Sequence, residues 1–163
     1  MDLEIIPKQD AALEFDPTEI RIRYIEYAVE RPSGNVIEGD KITEEVISEL
    51  LDCILSGTAV YLSLTPNGED DWLEVLSDDT WLALGYSSDG GQENYYSYNS
   101  DFAGSEELTP LLSGGQSVVE KYLALTDKQA GLKAVEYFIR TGELSRNIDW
   151  AKQRCIPFAD LFT

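Results

Sequence analysis

The sequence predicts an α+β fold: a mostly antiparallel sheet, a meander of about five to six strands, with two helices packed on it. Three observations carry that expectation. Four short apolar or alternating runs follow one another: "AVYLSL" (59–64), "WLEVL" (72–76), "TWLALGY" (80–86) and "QENYYSY" (92–98). They are joined by "TPNGEDD", "SDD" and "SSDGG", connections suited to hairpins and too short for parallel crossovers. Two segments with helical period and capping residues flank this meander. At 163 residues, 43% of them hydrophobic, residues 1–163 read as one domain with its own core.

Residues 1–18 lack a clear period and hold Pro7 and Pro17, which reads as an arm. "EIRIRYIEYAV" alternates with Ile20, Ile22 and Tyr24 on one face, then shifts phase at Ile25, Tyr27 and Val29. Such a shift fits a bulge or a strand covered on both sides. "RPSGN" is turn chemistry. "ITEEVISELLDCILSG" is a helix with Val46, Ile47, Leu50, Leu51 and Ile54 on one stripe, Thr43 as cap and Gly57 as stop. In "TWLALGY" the set Trp81, Ala83, Gly85 alternates with Leu82, Leu84, Tyr86, so both faces of that strand are expected to be covered. Residues 99–116 read as a Gly- and Ser-rich loop, and "SVVEKYLAL" (117–125) as a further strand. A second helix begins at "TDKQ", with Thr126 and Gln129 as a capping box. Ala130, Leu132, Val135, Phe138 and Ile139 face its core and Gly142 ends it, before "ELSRNIDW" extends to Trp150.

Charge is distributed unevenly. The net charge is −19, and residues 42–120 contain sixteen acids and no base. Soluble proteins ordinarily intersperse the two signs, because like charges packed together repel. A solvated acidic face is one reading of such a run; the sharper one is a field that steers a basic partner and repels nucleic acid and anionic membrane. No apolar run reaches the length of a membrane span, and "MDLEIIPKQD" is unlike a signal peptide. Cys53 and Cys155 are expected to be reduced thiols. The expected compartment is the cytoplasm.

The chain has no histidine. That removes Ser-His-Asp and Cys-His catalysis and histidine-ligated zinc. Two separated cysteines do not make a four-cysteine zinc site. "SSDGG" has no lysine to reach a phosphate. "NGEDDWLE" clusters acids without the spacing of a twelve-residue calcium loop, so a turn between strands is expected there. A carboxylate pair involving Glu93 is conceivable for glycoside hydrolysis, but nothing distinguishes it among 31 acids. The expectation is a non-enzymatic protein with no metal and no cofactor.

What remains is a binding surface. Tyr95, Tyr96, Tyr98 and Phe102 lie within eight residues, ringed by acids. Tyr96 and Tyr98 share one face by strand alternation and Tyr95 opposes them. Tyrosine is favoured at interface anchors, and acids beside it suit a basic partner. The candidate partner-binding residues are Asp78, Asp79, Asp89, Glu93, Tyr96, Tyr98, Asp101, Glu106 and Glu107. The helix face Glu44, Glu45, Glu49 and Asp52 is equally acidic.

"KYLALTDKQAGLKAVEYFIRTGELSRNIDW" resembles the closing signature of a bacterial polymorphic-toxin immunity family, the first-numbered Imm family, in which a strand is followed by a helix of form A-x-x-x-F-x-x-T-G and a later tryptophan. The matching positions are Ala134, Phe138, Thr141, Gly142 and Trp150. The helix at 42–56 and the hairpins of "GEDDWLEVLSDDTWLALGY" also fall where that family places its own, so the resemblance covers about residues 42–150. It implies a small protein that neutralises a cognate secreted toxin domain, a nuclease or a nucleic-acid deaminase, by occluding a basic cleft. Phe138, Thr141, Gly142 and Trp150 then carry structure, and the partner is a protein rather than nucleic acid or membrane. The other reading is an acidic adaptor or nucleic-acid mimic that binds a basic host protein.

Overall fold

One continuous eight-stranded sheet organises the chain, every neighbouring pair antiparallel. The computed structural model describes residues 2–10, 12–28, 35–59, 61–66 and 70–153. Its centre is the meander β4 (Tyr61–Thr65), β5 (Trp72–Ser77), β6 (Leu82–Ser88) and β7 (Glu93–Ser97). On one side β2 (Tyr24–Ala28) and β3 (Asn35–Glu38) extend it; on the other, β10 (Trp150–Gln153) and β1 (Leu3–Ile6).

The α+β expectation holds, and its two helices lie on one face of the sheet. Strand alternation sends Ile25, Leu62, Leu64, Leu73, Val75 and Leu84 to that face, where they form the main core with side chains from both helices. α1 (Glu44–Ser56) starts at Thr43, whose Oγ1 accepts the Val46 N–H at 3.3 Å, and stops at Gly57 in the left-handed region. It buries Ile47, Leu50 and Ile54. α2 (Lys128–Thr141) buries Ala134, Val135, Phe138 and Ile139 and also Gly131. A Cβ at Gly131 would overlap the Leu82 side chain, so glycine lets α2 approach β6.

The opposite face carries a smaller core. Leu76, Trp81 and Ala83 pack there with Leu111 and Ala124, and Phe102 meets the Trp81 ring edge-on at 5.5 Å. Its cover is a separate hairpin, β8 (Leu108–Ser113) with β9 (Ser117–Glu120). Ser97 joins cover to sheet: its Oγ accepts the Leu84 N–H at 3.0 Å and donates to the Leu123 carbonyl at 2.8 Å. Both faces of β6 are covered, as its two apolar sets require.

Six details differ from the sequence reading. The strand expected over 117–125 ends at Glu120, and Lys121–Leu123 form a 3-10 turn. Part of the N-terminal arm, Leu3–Ile6, is an edge strand, because β10 offers it a ladder. "NVIE" is a strand against β2, and the phase shift before it is a bend at Arg23 that leaves Ile22 and Ile25 in one core. Residues 99–116 include strand β8, with Pro110 tolerated at an exposed position. The second helix is capped one residue later than expected: Asp127 Oδ1 accepts the Ala130 N–H at 3.1 Å. Trp150 does not end an extended segment; it opens β10, which lies between β1 and β7. Most of "RPSGN", the centre of "TPNGEDD" and Cys155 lie outside the described residues.

Candidate partner-binding site

Hairpin connections decide where the acids gather. The β4–β5 and β6–β7 connections emerge at the same end of the sheet and are hydrogen-bonded to each other. The Asp89 N–H donates to Asp71 Oδ1 at 3.3 Å, and the Gly90 N–H to the Asp70 carbonyl at 3.2 Å. Asp89 has φ 53°, a left-handed conformation that aspartate tolerates. Glu93 begins β7 beside them and is exposed. Asp70, Asp71, Asp89 and Glu93 thus share one tip.

Aromatic rings line the strands below this tip. Trp72 is half-buried, and Tyr86 and Tyr95 form a cross-strand pair with ring centres 6.1 Å apart. Burial pushes the Tyr86 phenol above its ordinary pKa, and Asp71, Tyr95 and Glu93 push it further. Lys152 sits with Nζ 5.5 Å from the Tyr95 ring centre.

Asp78 and Asp79 occupy the β5–β6 turn at the other end of β6. Seven strand residues separate the ends by roughly 20 Å. Asp78 is a turn-former: its Oδ1 accepts the Thr80 and Trp81 N–H groups at 2.8 and 2.6 Å. Lys128 lies in the field of both aspartates while donating to the Leu55 and Asp78 carbonyls. Asp101 is exposed in a short turn whose Phe102 rests on Trp81. Glu106 and Glu107 are exposed where the chain enters β8, and Glu107 pairs with Lys121 at 3.4 Å.

The nine candidate residues therefore do not form one patch. Asp89 and Glu93 lie at one end of the sheet, and Asp78 and Asp79 at the other. Tyr96 and Tyr98 also separate. Tyr96 faces the β8–β9 hairpin; Tyr98 lies beyond the end of β7, beside Asp127 and Asp149. Asp70 and Asp71 join Asp89 only through hairpin geometry. Their place in "GEDD" shows a turn, with no local sign of the second tip that meets it.

The sheet's second face holds another missed feature. One cross-strand row runs Glu26, Ser63, Glu74, Gly85, Tyr96, Ala151. Glu74 accepts the Ser113 hydroxyl at 2.6 Å and the Gly114 N–H at 3.2 Å, fastening the hairpin. Between hairpin and sheet lies a cleft of about 290 Å³ that includes Glu74, Tyr96 and Glu120 in its walls. Burial raises the Tyr96 phenol pKa, and the charges of Glu74 and Glu120 add to it.

Phe138, Thr141, Gly142 and Trp150 sit in and around the end of α2. Phe138 is fully buried against Tyr86. Thr141 Oγ1 donates to the Tyr137 carbonyl at 2.7 Å and accepts the Glu143 N–H at 3.1 Å. Gly142 takes φ 74° as the helix cap. Trp150 is 3% exposed, its Nε1 donating to the Ser145 carbonyl at 2.7 Å. Among the described residues no group of three or more acids and cysteines is placed to hold a metal ion, and no helix is long and apolar enough to cross a membrane. No family model matches the chain, and no curated protein matches it.

Proposed function

We propose that this is an immunity protein that acts in the cytoplasm, binding a cognate secreted toxin domain and blocking its basic, nucleic-acid-binding cleft. The observation that carries the reading is the tip formed by Asp70, Asp71, Asp89 and Glu93. Among the described residues none of these four has an ion-pair partner within 4.0 Å. At the other end of the sheet Lys121 and Lys128 offset the acids. Of these four only Glu93 feels a neighbouring lysine, Lys152, and the excess of carboxylates above Trp72, Tyr86 and Tyr95 matches a cleft shaped for phosphates in sign and supplies aromatic anchors beside it. The resemblance at Phe138, Thr141, Gly142 and Trp150 supports the same reading through the fold. The mechanism is occlusion, with no bond made or broken.

Co-expression with the product of the adjacent toxin gene tests it. Cell survival and a stable one-to-one complex are expected. Survival without a complex, or binding to several unrelated DNA-binding proteins, overturns it; the second result supports a nucleic-acid mimic.

A further inference from the structure

Gly85 stands between Glu74 and Tyr96 in the cross-strand row of the second face. Having no side chain, it leaves open the space between a carboxylate and a phenol ring. The β8–β9 hairpin roofs that space, and Glu120 from β9 contributes a second carboxylate. Leu76, Val118 and Leu123 make the remaining wall apolar. Among the described residues no cation lines the cleft.

We infer that this cleft receives an arginine side chain from the basic protein partner. The chemistry matches part by part. Apolar walls suit the three-carbon stem of arginine, whose methylenes pack on hydrophobic surface while the head stays polar. The guanidinium offers five N–H donors in a planar fork that fits carboxylates. Glu74 uses one acceptor site on each oxygen for the hairpin, and a carboxylate has about four such sites, so capacity remains. The Tyr96 ring supplies a face for the cation. Val118, in the wall of the cleft, is 43% exposed, apolar surface beside polar groups that suits a protein partner. The fields of Glu74 and Glu120 that raise the Tyr96 phenol are the fields a guanidinium would meet.

The inference rests on the partner being a basic protein, and its test does not use that partner. N-acetyl-argininamide is titrated into isotope-labelled protein while methyl resonances are followed by NMR, with neutral N-acetyl-citrullinamide as the comparison. Saturable shifts are expected at Val118, Val119, Leu76 and Leu123, with the citrulline compound roughly tenfold weaker for want of a charge-assisted bond. Gly85→Ala places a methyl group in the opening beside the Tyr96 ring and is expected to weaken the shifts. A Cβ at Gly85 lies 3.7 Å from the Tyr96 ring, an ordinary contact, so the sheet accommodates it. Glu120→Gln removes one charge without touching the hairpin fastening and is expected to weaken the shifts roughly tenfold. Equal response to both compounds, shifts confined to α1 or to the β5–β6 turn, or an unchanged response in both variants overturns the inference. Toxin neutralisation without cleft shifts sinks the cleft alone; cleft shifts without neutralisation sink the toxin reading alone.

Discussion

Arg140 and Glu44 meet in a two-pronged pair, Nη1 to Oε1 at 2.8 Å and Nη2 to Oε2 at 2.7 Å, joining the last turn of α2 to the first turn of α1. The arginine side chain is 5% exposed and the glutamate 54%. Arg140 Nη1 also donates to the Glu19 carbonyl at 3.2 Å, so one guanidinium holds both helices and the segment before β2. Each charge favours its own helix end, the cation at a C-terminus and the anion at an N-terminus.

Glu44→Gln should lower the melting temperature, because a buried guanidinium loses its counter-charge. Glu45→Gln, one residue on and exposed, should leave it unchanged. The pair also sets a pH signature. The hydrogen bonds from Arg140 hold the Glu44 carboxyl below its ordinary value of 4.5. A group whose folded pKa is depressed stabilises fully above its unfolded value, and loses that contribution as pH falls through the folded one. The difference in melting temperature between wild type and Glu44→Gln should be constant near neutrality and shrink below about pH 4.5. A difference as large at pH 3 as at neutrality would mean that packing, not charge, joins these helices.

Trp150→Ala should cost about 3–5 kcal/mol, the usual range for a buried aromatic truncated to alanine. Chemical denaturation measures it. Loss of partner binding should follow the unfolded fraction. A variant that folds normally and fails to bind would place Trp150 at the interface.

Gly131→Ala should destabilise by about 1–3 kcal/mol, the range for overpacking a filled core. The contact at fault is with Leu82. Pairing Gly131→Ala with Leu82→Ala in a double-mutant cycle should show a favourable coupling, because each change relieves the other. Strict additivity would deny the contact.

The central meander and both helices were legible because their signals are local. Turn residues mark β4 to β7, and Thr43 and Gly57 mark the ends of α1. β10 was not legible. "WAKQ" pairs with residues more than fifty positions away on β7 and with β1 at the far end of the chain, and four residues carry too little alternation to reveal that. β8 was obscured by Pro110, which is compatible with a strand only where no ladder bond is needed. The binding surface suffered the same limit. Asp89 and Glu93 were legible as acids, but their union with Asp70 and Asp71 depends on two turns meeting. Asp78 looked equivalent to them in sequence, yet it spends its carboxylate on the turn.

Association with the toxin should slow steeply as salt is added, while dissociation changes little. Exposed charges act over about 10 Å at 0.1 M salt, so screening removes steering before it weakens close contacts. Stopped-flow mixing across a salt series measures both rates. An association rate indifferent to salt would reject electrostatic steering.

The docking end of the sheet can be assigned by three matched charge reversals. Asp70→Lys with Glu93→Lys changes the tip and spares the left-handed Asp89, Asp79→Lys with Asp101→Lys changes the β5–β6 turn end, and Glu45→Lys with Glu49→Lys changes α1. All six residues are exposed, so each double variant should stay folded. Asp78 is left intact because its carboxylate holds Thr80 and Trp81. Only the tip variant should lose neutralisation, since it sets like charge against the basic cleft beside the aromatic anchors; Glu45 and Glu49 likewise have no ion pair among the described residues, which makes the α1 variant the matched control. The turn-end variant should lose little, because Lys128 and Lys121 have already reduced the field there. Binding measured by calorimetry at fixed salt separates the three. A tip variant that still binds, beside an α1 variant that does not, would move the docking face from the hairpins to the first helix.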